Sequence, residues 1–117
     1  MITDERMSAF IDSLDKGNSS LLNEIEREAR ETNVPIIRTQ TQSLLRFLLS
    51  MHRPQSILEV GCAIGFSALL MSDYAPQGCR ITTIEKYEKR IPIAKANFAR
   101  AGKDIELLEG DATDILK

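Results

Sequence analysis

The stretch Ser56 to Leu70, SILEVGCAIGFSALL, limits this chain more than any other. An apolar run, Ile57-Leu58-Glu59-Val60, meets a turn bounded by Gly61 and Gly65, and a helix-like run starts at Phe66. Strand, tight loop and helix in that order offer backbone N–H groups and a positive helix end to a ligand. Glycine at 61 allows backbone angles that other residues avoid, and its missing side chain lets a ligand approach the main chain. The next apolar run, Ile81-Thr82-Thr83-Ile84, ends in Glu85. A glycine loop followed at this distance by an acid at a strand end marks a nucleoside-binding α/β unit, with the carboxylate accepting bonds from ribose hydroxyls.

The flanking segments read as helices and strands around that unit. Residues 4 to 16 carry Met7, Phe10, Ile11 and Leu14 at helical spacing and stop at Gly17-Asn18. A second helix is predicted from Ser20 to Glu31, with Leu21, Leu22, Ile25 and Ala29 on one face and a solvated charged face opposite. Pro35 breaks the pattern, and Thr39-x-x-Gln42 has capping-box spacing for a third helix to about Met51. Leu44, Leu45, Phe47, Leu48 and Met51 make that helix apolar over a wide arc, which predicts deep burial. After the glycine loop, a helix to Tyr74, a strand over Arg80 to Glu85 and a helix over Glu88 to Ala101 follow. Pro92 requires a late start or a kink in this last helix, and Gly102 ends it. A strand over Ile105 to Leu108 leads into the loop Glu109 to Ala112, and Thr113 opens a final helical turn. The organisation expected is a helical segment, 1–53, joined to a ligand-binding half, 54–117, in one compact unit.

Strands alternating with helices imply an α/β fold whose parallel sheet has right-handed crossovers. Strand one is expected centrally, with strand two beside it and strand three outside, the order 3-2-1. All three carboxyl ends then share one edge, where ligands bind in open α/β sheets. Gly61 and Gly65 let the chain approach the ligand, and Ser67 offers a hydroxyl and an N–H to a carboxylate. Glu85 suits ribose hydroxyls, Asp111 with the Ala112 N–H suits the edge of an adenine, and Glu59 suits an amino group.

Composition narrows the partners. Across 117 residues the net charge of −2 gives no case for gripping a nucleic-acid backbone. No apolar run approaches the roughly 18 residues that span a membrane, and the N-terminus lacks a signal-peptide core. Two cysteines, Cys62 and Cys79, make neither a disulfide framework nor a metal cluster, and a cytoplasmic setting is expected. His52 sits at a helix C-terminus, where its charge suits the dipole, and is not expected to act in catalysis.

The dinucleotide pattern GxGxxG requires glycine where Ala63 and Phe66 stand, and the P-loop pattern is absent, so the ligand expected has no phosphates. EVGCAIGFS resembles the first motif of the S-adenosylmethionine-dependent O-methyltransferases of the catechol and caffeoyl-CoA type. The likeness is greatest to their bacterial members, including the enzymes that methylate 5-hydroxyuridine in transfer RNA. It covers Val34 to about Leu116, including Val34-Pro35-Ile36, TTIEKYEKR and LLEGDA.

That resemblance implies the N-terminal half of a Rossmann-like methyltransferase fold binding S-adenosylmethionine. By it, Glu59, Gly61 and Ser67 hold the methionine end, Glu85 the ribose and Asp111-Ala112 the adenine, while the backbone near Ile37 closes over the cofactor. The family's divalent cation, magnesium, is held at and after a fourth strand, beyond Lys117, so no metal ligand and no catalytic residue is assigned in this chain. The acceptor, a small aromatic hydroxyl or a transfer-RNA hydroxyuridine, belongs to the same missing half. The chain alone is therefore expected to be inactive. Strand one would keep an apolar edge, completed by further polypeptide or by a second copy in a homo-oligomer. A non-catalytic cofactor-binding or sheet-edge dimerisation module stays open as the alternative. A nicotinamide-dependent oxidoreductase is disfavoured by Ala63 and Phe66.

Overall fold

Three short apolar runs pair as parallel strands, and helices between them cover one face. The computed structural model describes residues 4–117. Three helices come first: α1 (Glu5–Ser13), α2 (Ser20–Glu31) and α3 (Thr39–His52). There follow β1 (Ser56–Val60), α4 (Phe66–Tyr74), β2 (Arg80–Glu85), α5 (Ile91–Ala101), β3 (Ile105–Glu109) and the single turn α6 (Ala112–Ile115). The order β1-β2-β3 is the one expected, but β2 is the middle strand here and β1 lies at an edge. Ile57 pairs with Ile81 and Glu59 with Thr83, while Thr83 pairs with Leu107. Strand alternation thus puts Ile57, Glu59, Ile81, Thr83, Glu85 and Leu107 on one face.

That face is the core side. Leu49 of α3 and Met71 of α4 pack with Ile81 and Ile57, and Ala94 and Phe98 of α5 pack with Ile105 and Leu107. Helix α2 adds Leu22, Ile25 and Ala29, all buried, and is capped by Ser19, whose hydroxyl accepts from Leu22 N. Helix α5 starts late, at Ile91, so that Pro92 falls in the first turn where a missing N–H is harmless, and Gly102 closes it with φ +62°.

Two expectations fail at α3. Leu44, Phe47, Leu48 and Met51 are exposed, at 47% or more each, because no described element covers that side. The helix buries only Gln42 and Leu49, with Leu45 partly covered. The capping box does not form either: Arg38 is the N-cap without a side-chain bond, and Gln42 turns to other partners. Helix α1 is shorter than 4–16 and buries no residue. What ties it down is polar. Asp15 pairs with Arg46 of α3 and accepts from Ser43 Oγ at 2.6 Å, which holds the Asp15 carboxyl below its usual range.

Candidate cofactor site

The glycine loop gets its shape from backbone and side-chain bonds together. Gly61 N donates to Ile84 O at 2.7 Å, and Gly65 N donates to Cys62 O at 2.8 Å. Ala63 and Gly65 both take positive φ, +50° and +91°. Glycine is required at 65 for a second reason: a Cβ there would lie 2.6 Å from Phe98 Cε1. Gly65 is the N-cap of α4, so the unpaired N–H groups of that helix's first turn open at the loop.

Glu85, at the end of β2 and 7% exposed, fastens two loops at once. Its Oε2 accepts from Ala63 N at 2.7 Å, and its Oε1 accepts from Lys86 N and Tyr87 N at 3.0 and 2.9 Å. A carboxylate offers about four acceptor positions. Three are used within the protein, which leaves one.

Beneath the loop, Glu59 accepts from Ser67 Oγ at 2.5 Å and from Thr83 Oγ1 at 2.7 Å. Burial raises the Glu59 carboxyl above its usual range, against the lowering effect of the two hydroxyls. The neighbouring Cys62 thiol, also desolvated, is pushed up to about 11 and stays protonated at neutral pH. At the end of β3, Asp111 accepts from Thr113 Oγ1 at 2.7 Å and Thr113 N at 2.9 Å, which lowers its carboxyl. Asp111 also pairs with Lys86 at 3.5 Å, and Gly110 N donates to Glu85 O at 3.0 Å. The three strand ends are thereby laced together.

A cavity of about 220 Å³ opens between the segment before α3 and the glycine loop, lined by Pro35, Ile37, Gly61, Ala63, Phe66 and Ser67 among others. Of the residues predicted from sequence, Ile37, Gly61 and Ser67 therefore meet in one cavity. Gly65 ends the same loop, and Glu59 and Glu85 are bonded to Ser67 and to Ala63 N. Asp111 and Ala112 do not line this cavity; Asp111 pairs with Lys86, and the preceding Gly110 bonds Glu85 O at the end of the neighbouring strand. A larger depression of about 680 Å³ lies near the other ends of the strands, beside Ser56, Arg80 and Asp104, away from the loop N–H groups. Sequence reasoning missed Gln42, Thr83 and Asn97, which are buried polar residues. The available signal was an amide on an apolar face: Asn97 beside Ala94 and Phe98, and Gln42 at helical spacing from Leu45 and Leu49. Among the described residues no three His, Cys, Asp or Glu side chains come together as metal ligands.

Comparison with known proteins decides the family. A family model for O-methyltransferases matches residues 12–117. The chain belongs to the O-methyltransferase family. It is 30% identical over 90 residues to the catechol O-methyltransferase of Niastella koreensis, an alignment covering 74% of this chain and 41% of that protein. Among solved structures it is similar to the O-methyltransferase from Bacillus cereus in complex with S-adenosylhomocysteine, with a TM-score of 0.81 and 26% identity, over 92% of this chain and 51% of that one. The S-adenosylhomocysteine-bound methyltransferase of Podospora anserina gives a TM-score of 0.86 and 28% identity, over 96% and 50%. This O-methyltransferase chain thus spans about half the length of the relatives it matches, and its sheet and helices are part of a Rossmann-like methyltransferase fold.

Proposed function

We propose that this chain is the S-adenosylmethionine-binding part of an O-methyltransferase. The observation that carries the reading is the cavity between Ile37 and the glycine loop, with Glu85 tied to Ala63 N beneath it. When bound, the cofactor supplies an electrophilic methyl group on a sulfonium centre. The chain's residues bind and orient it. The remaining acceptor position of Glu85 takes a ribose hydroxyl, and the Ser67 N–H at the start of α4 takes a carboxylate. Gly61, where a Cβ would meet no atom within 4 Å, leaves the main chain open to the methionine end, with the Glu59 carboxyl below for its amino group. Ile37 supplies an apolar wall that excludes water, Gly65 holds the loop's left-handed turn, and Asp111 with the Ala112 N–H meets the adenine edge.

Among the described residues, no group of side chains fits a magnesium site. The acceptor hydroxyl is of the small aromatic or transfer-RNA hydroxyuridine class, and this chain by itself does not complete the transfer. A cytoplasmic setting goes with the two unbridged thiols. No helix among the described residues is long and apolar enough to cross a membrane.

Calorimetric titration of the 117-residue chain with S-adenosylhomocysteine tests the assignment. Saturable one-to-one binding is expected, weakened by about 1.5–3 kcal/mol in Glu85→Ala. No heat from a chain that circular dichroism shows to be folded would overturn it.

A second reading is favoured by β1, which has a hydrogen-bonded partner strand on one side only. We infer that a second copy covers this edge when the chain is alone. Sedimentation showing a monomer at every concentration would remove that reading and leave the first untouched.

A further inference from the structure

Gln42 and Asn97 are each 2% exposed, yet each sits on a helix face that otherwise buries apolar side chains. A buried amide is costly unless its groups are paired, and a leucine or methionine would fill either position more cheaply. Both amides use their N–H₂ group in the same way. Gln42 Nε2 donates to Ile37 O at 3.0 Å, and Asn97 Nδ2 donates to Ile64 O at 2.8 Å. Neither carbonyl accepts a turn or loop bond from a backbone N–H among the described residues. Ile64 lies between Ala63 and Gly65, both in left-handed conformation, which removes it from any regular ladder. One carbonyl belongs to the segment on one side of the cavity and the other to the loop opposite.

The amides are themselves held. Gln42 Oε1 accepts from Asn18 Nδ2 at 2.8 Å; Asn18 Oδ1 in turn accepts from Arg46, which pairs with Asp15. Asn97 Oδ1 accepts from Arg100 Nη1 at 2.9 Å, and Arg100 pairs with Glu28 at 3.1 Å and Glu24 at 3.2 Å. Arg100, anchored by Glu24 and Glu28, fixes the Asn97 amide directly, and Arg46, anchored by Asp15, fixes the Gln42 amide through Asn18. We propose that Gln42 and Asn97 are the positioning residues of the cofactor pocket, two clamps through which docking of the N-terminal helices sets the separation of its walls. The inference rests on the cofactor reading above.

Asn97→Asp and Gln42→Glu test it, because each keeps shape and the acceptor oxygen while replacing the donor with a carboxylate against a carbonyl. Affinity for S-adenosylhomocysteine should fall about ten-fold or more in each. Amide hydrogen exchange, measured without ligand, should quicken at Ala63 and Gly65 in Asn97→Asp and at residues 36–38 in Gln42→Glu, with α2 unchanged. Ile25→Val, a core change that lowers stability, should leave both readouts where they are. Arg100→Gln, on a partly exposed side chain, frees the Asn97 amide with little risk to folding and should give a smaller change in the same direction. Affinities within two-fold of the parent, or exchange that quickens evenly along the chain, would overturn the proposal. If the parent chain binds no S-adenosylhomocysteine, the cofactor reading fails, while the local exchange pattern still upholds or overturns the clamps.

Discussion

The loop edge of the sheet and the outer side of α3 have similar apolar content but opposite treatment. At the loop edge, Cys62, Ile64, Phe66 and Ala68 are all under 4% exposed, and no buried side-chain polar atom among the described residues lacks a partner. On the outer side of α3, Leu44, Phe47, Leu48 and Met51 stand in solvent, and on the sheet face away from α3 so do Leu58 and Val60 of β1. Close packing makes the first region intolerant of change. The second has little folded structure to lose. Contiguous exposed apolar side chains of this kind are more often found at interfaces than on free surfaces, so the two regions call for different tests.

The largest effect should come from truncating the same side chain in each region. Phe66→Ala, 1% exposed, is expected to cost about 3–5 kcal/mol in urea unfolding, whereas Phe47→Ala, 58% exposed, should stay within about 0.5 kcal/mol. Equal losses would erase the contrast. Next comes the glycine pair. Gly65→Ala meets both a left-handed backbone and the Phe98 ring, and should cost about 1–3 kcal/mol with weaker S-adenosylhomocysteine binding. Gly61→Ala, at φ +83° with open space around its Cβ, carries the backbone strain alone, about 1 kcal/mol. A larger loss at 61 than at 65 would mean that the Phe98 contact does not shape the loop.

The two regions also differ in how far the sequence foretold them. Helix α2, helix α4 and strand β2 begin and end where the local signals say, because Ser19, Gly65, Ala75-Pro76 and Gly78 act on their own neighbours. Pro92 forces the late start of α5 for the same local reason. Periodicity identified the apolar arc of α3 but carries no information on whether anything lies over it, so burial was wrongly expected there. At the site, Ile37, Gly61 and Ser67 line one cavity; the strand-loop-helix order pointed to Gly61 and Ser67, and the family resemblance alone to Ile37. Gln42 and Asn97 stayed hidden because their meaning depends on partners far away in the chain: Asn18 lies 24 residues from Gln42, and Ile64 lies 33 residues from Asn97.

A pH series sharpens the loop edge further. Burial first, then the nearby Glu85 charge, raises Glu59 above 4.5, so the folded chain holds that proton more tightly than the unfolded one. Its contribution is complete below about pH 4.5 and is lost as pH rises through the raised folded value. The stability of the parent relative to Glu59→Gln should therefore decline from pH 4.5 towards 7 in urea titrations. Asp15, lowered by the Ser43 hydroxyl, acts in the opposite sense, its contribution being lost as pH falls below 3.8. A parent-minus-variant difference that is flat, or that grows with pH, would mean Glu59 is not desolvated beneath the loop.

The smallest expected effect lies on the outer side of α3. Leu48 is 47% exposed, so Leu48→Gln removes little contact within one chain and should shift unfolding by no more than about 0.5 kcal/mol. The measurement is most telling at two protein concentrations, since a face covered by a second chain makes the unfolding midpoint depend on concentration. A midpoint that does not move with concentration, in parent or variant, leaves α3 solvated and counts against pairing at the β1 edge as well, whereas one that rises equally in both would place self-association at that edge. A midpoint that rises with concentration in the parent and flattens in Leu48→Gln would place the partner on α3 instead. In that event the exposed leucines belong to a buried interface, and the contrast between the two regions holds for the single chain alone.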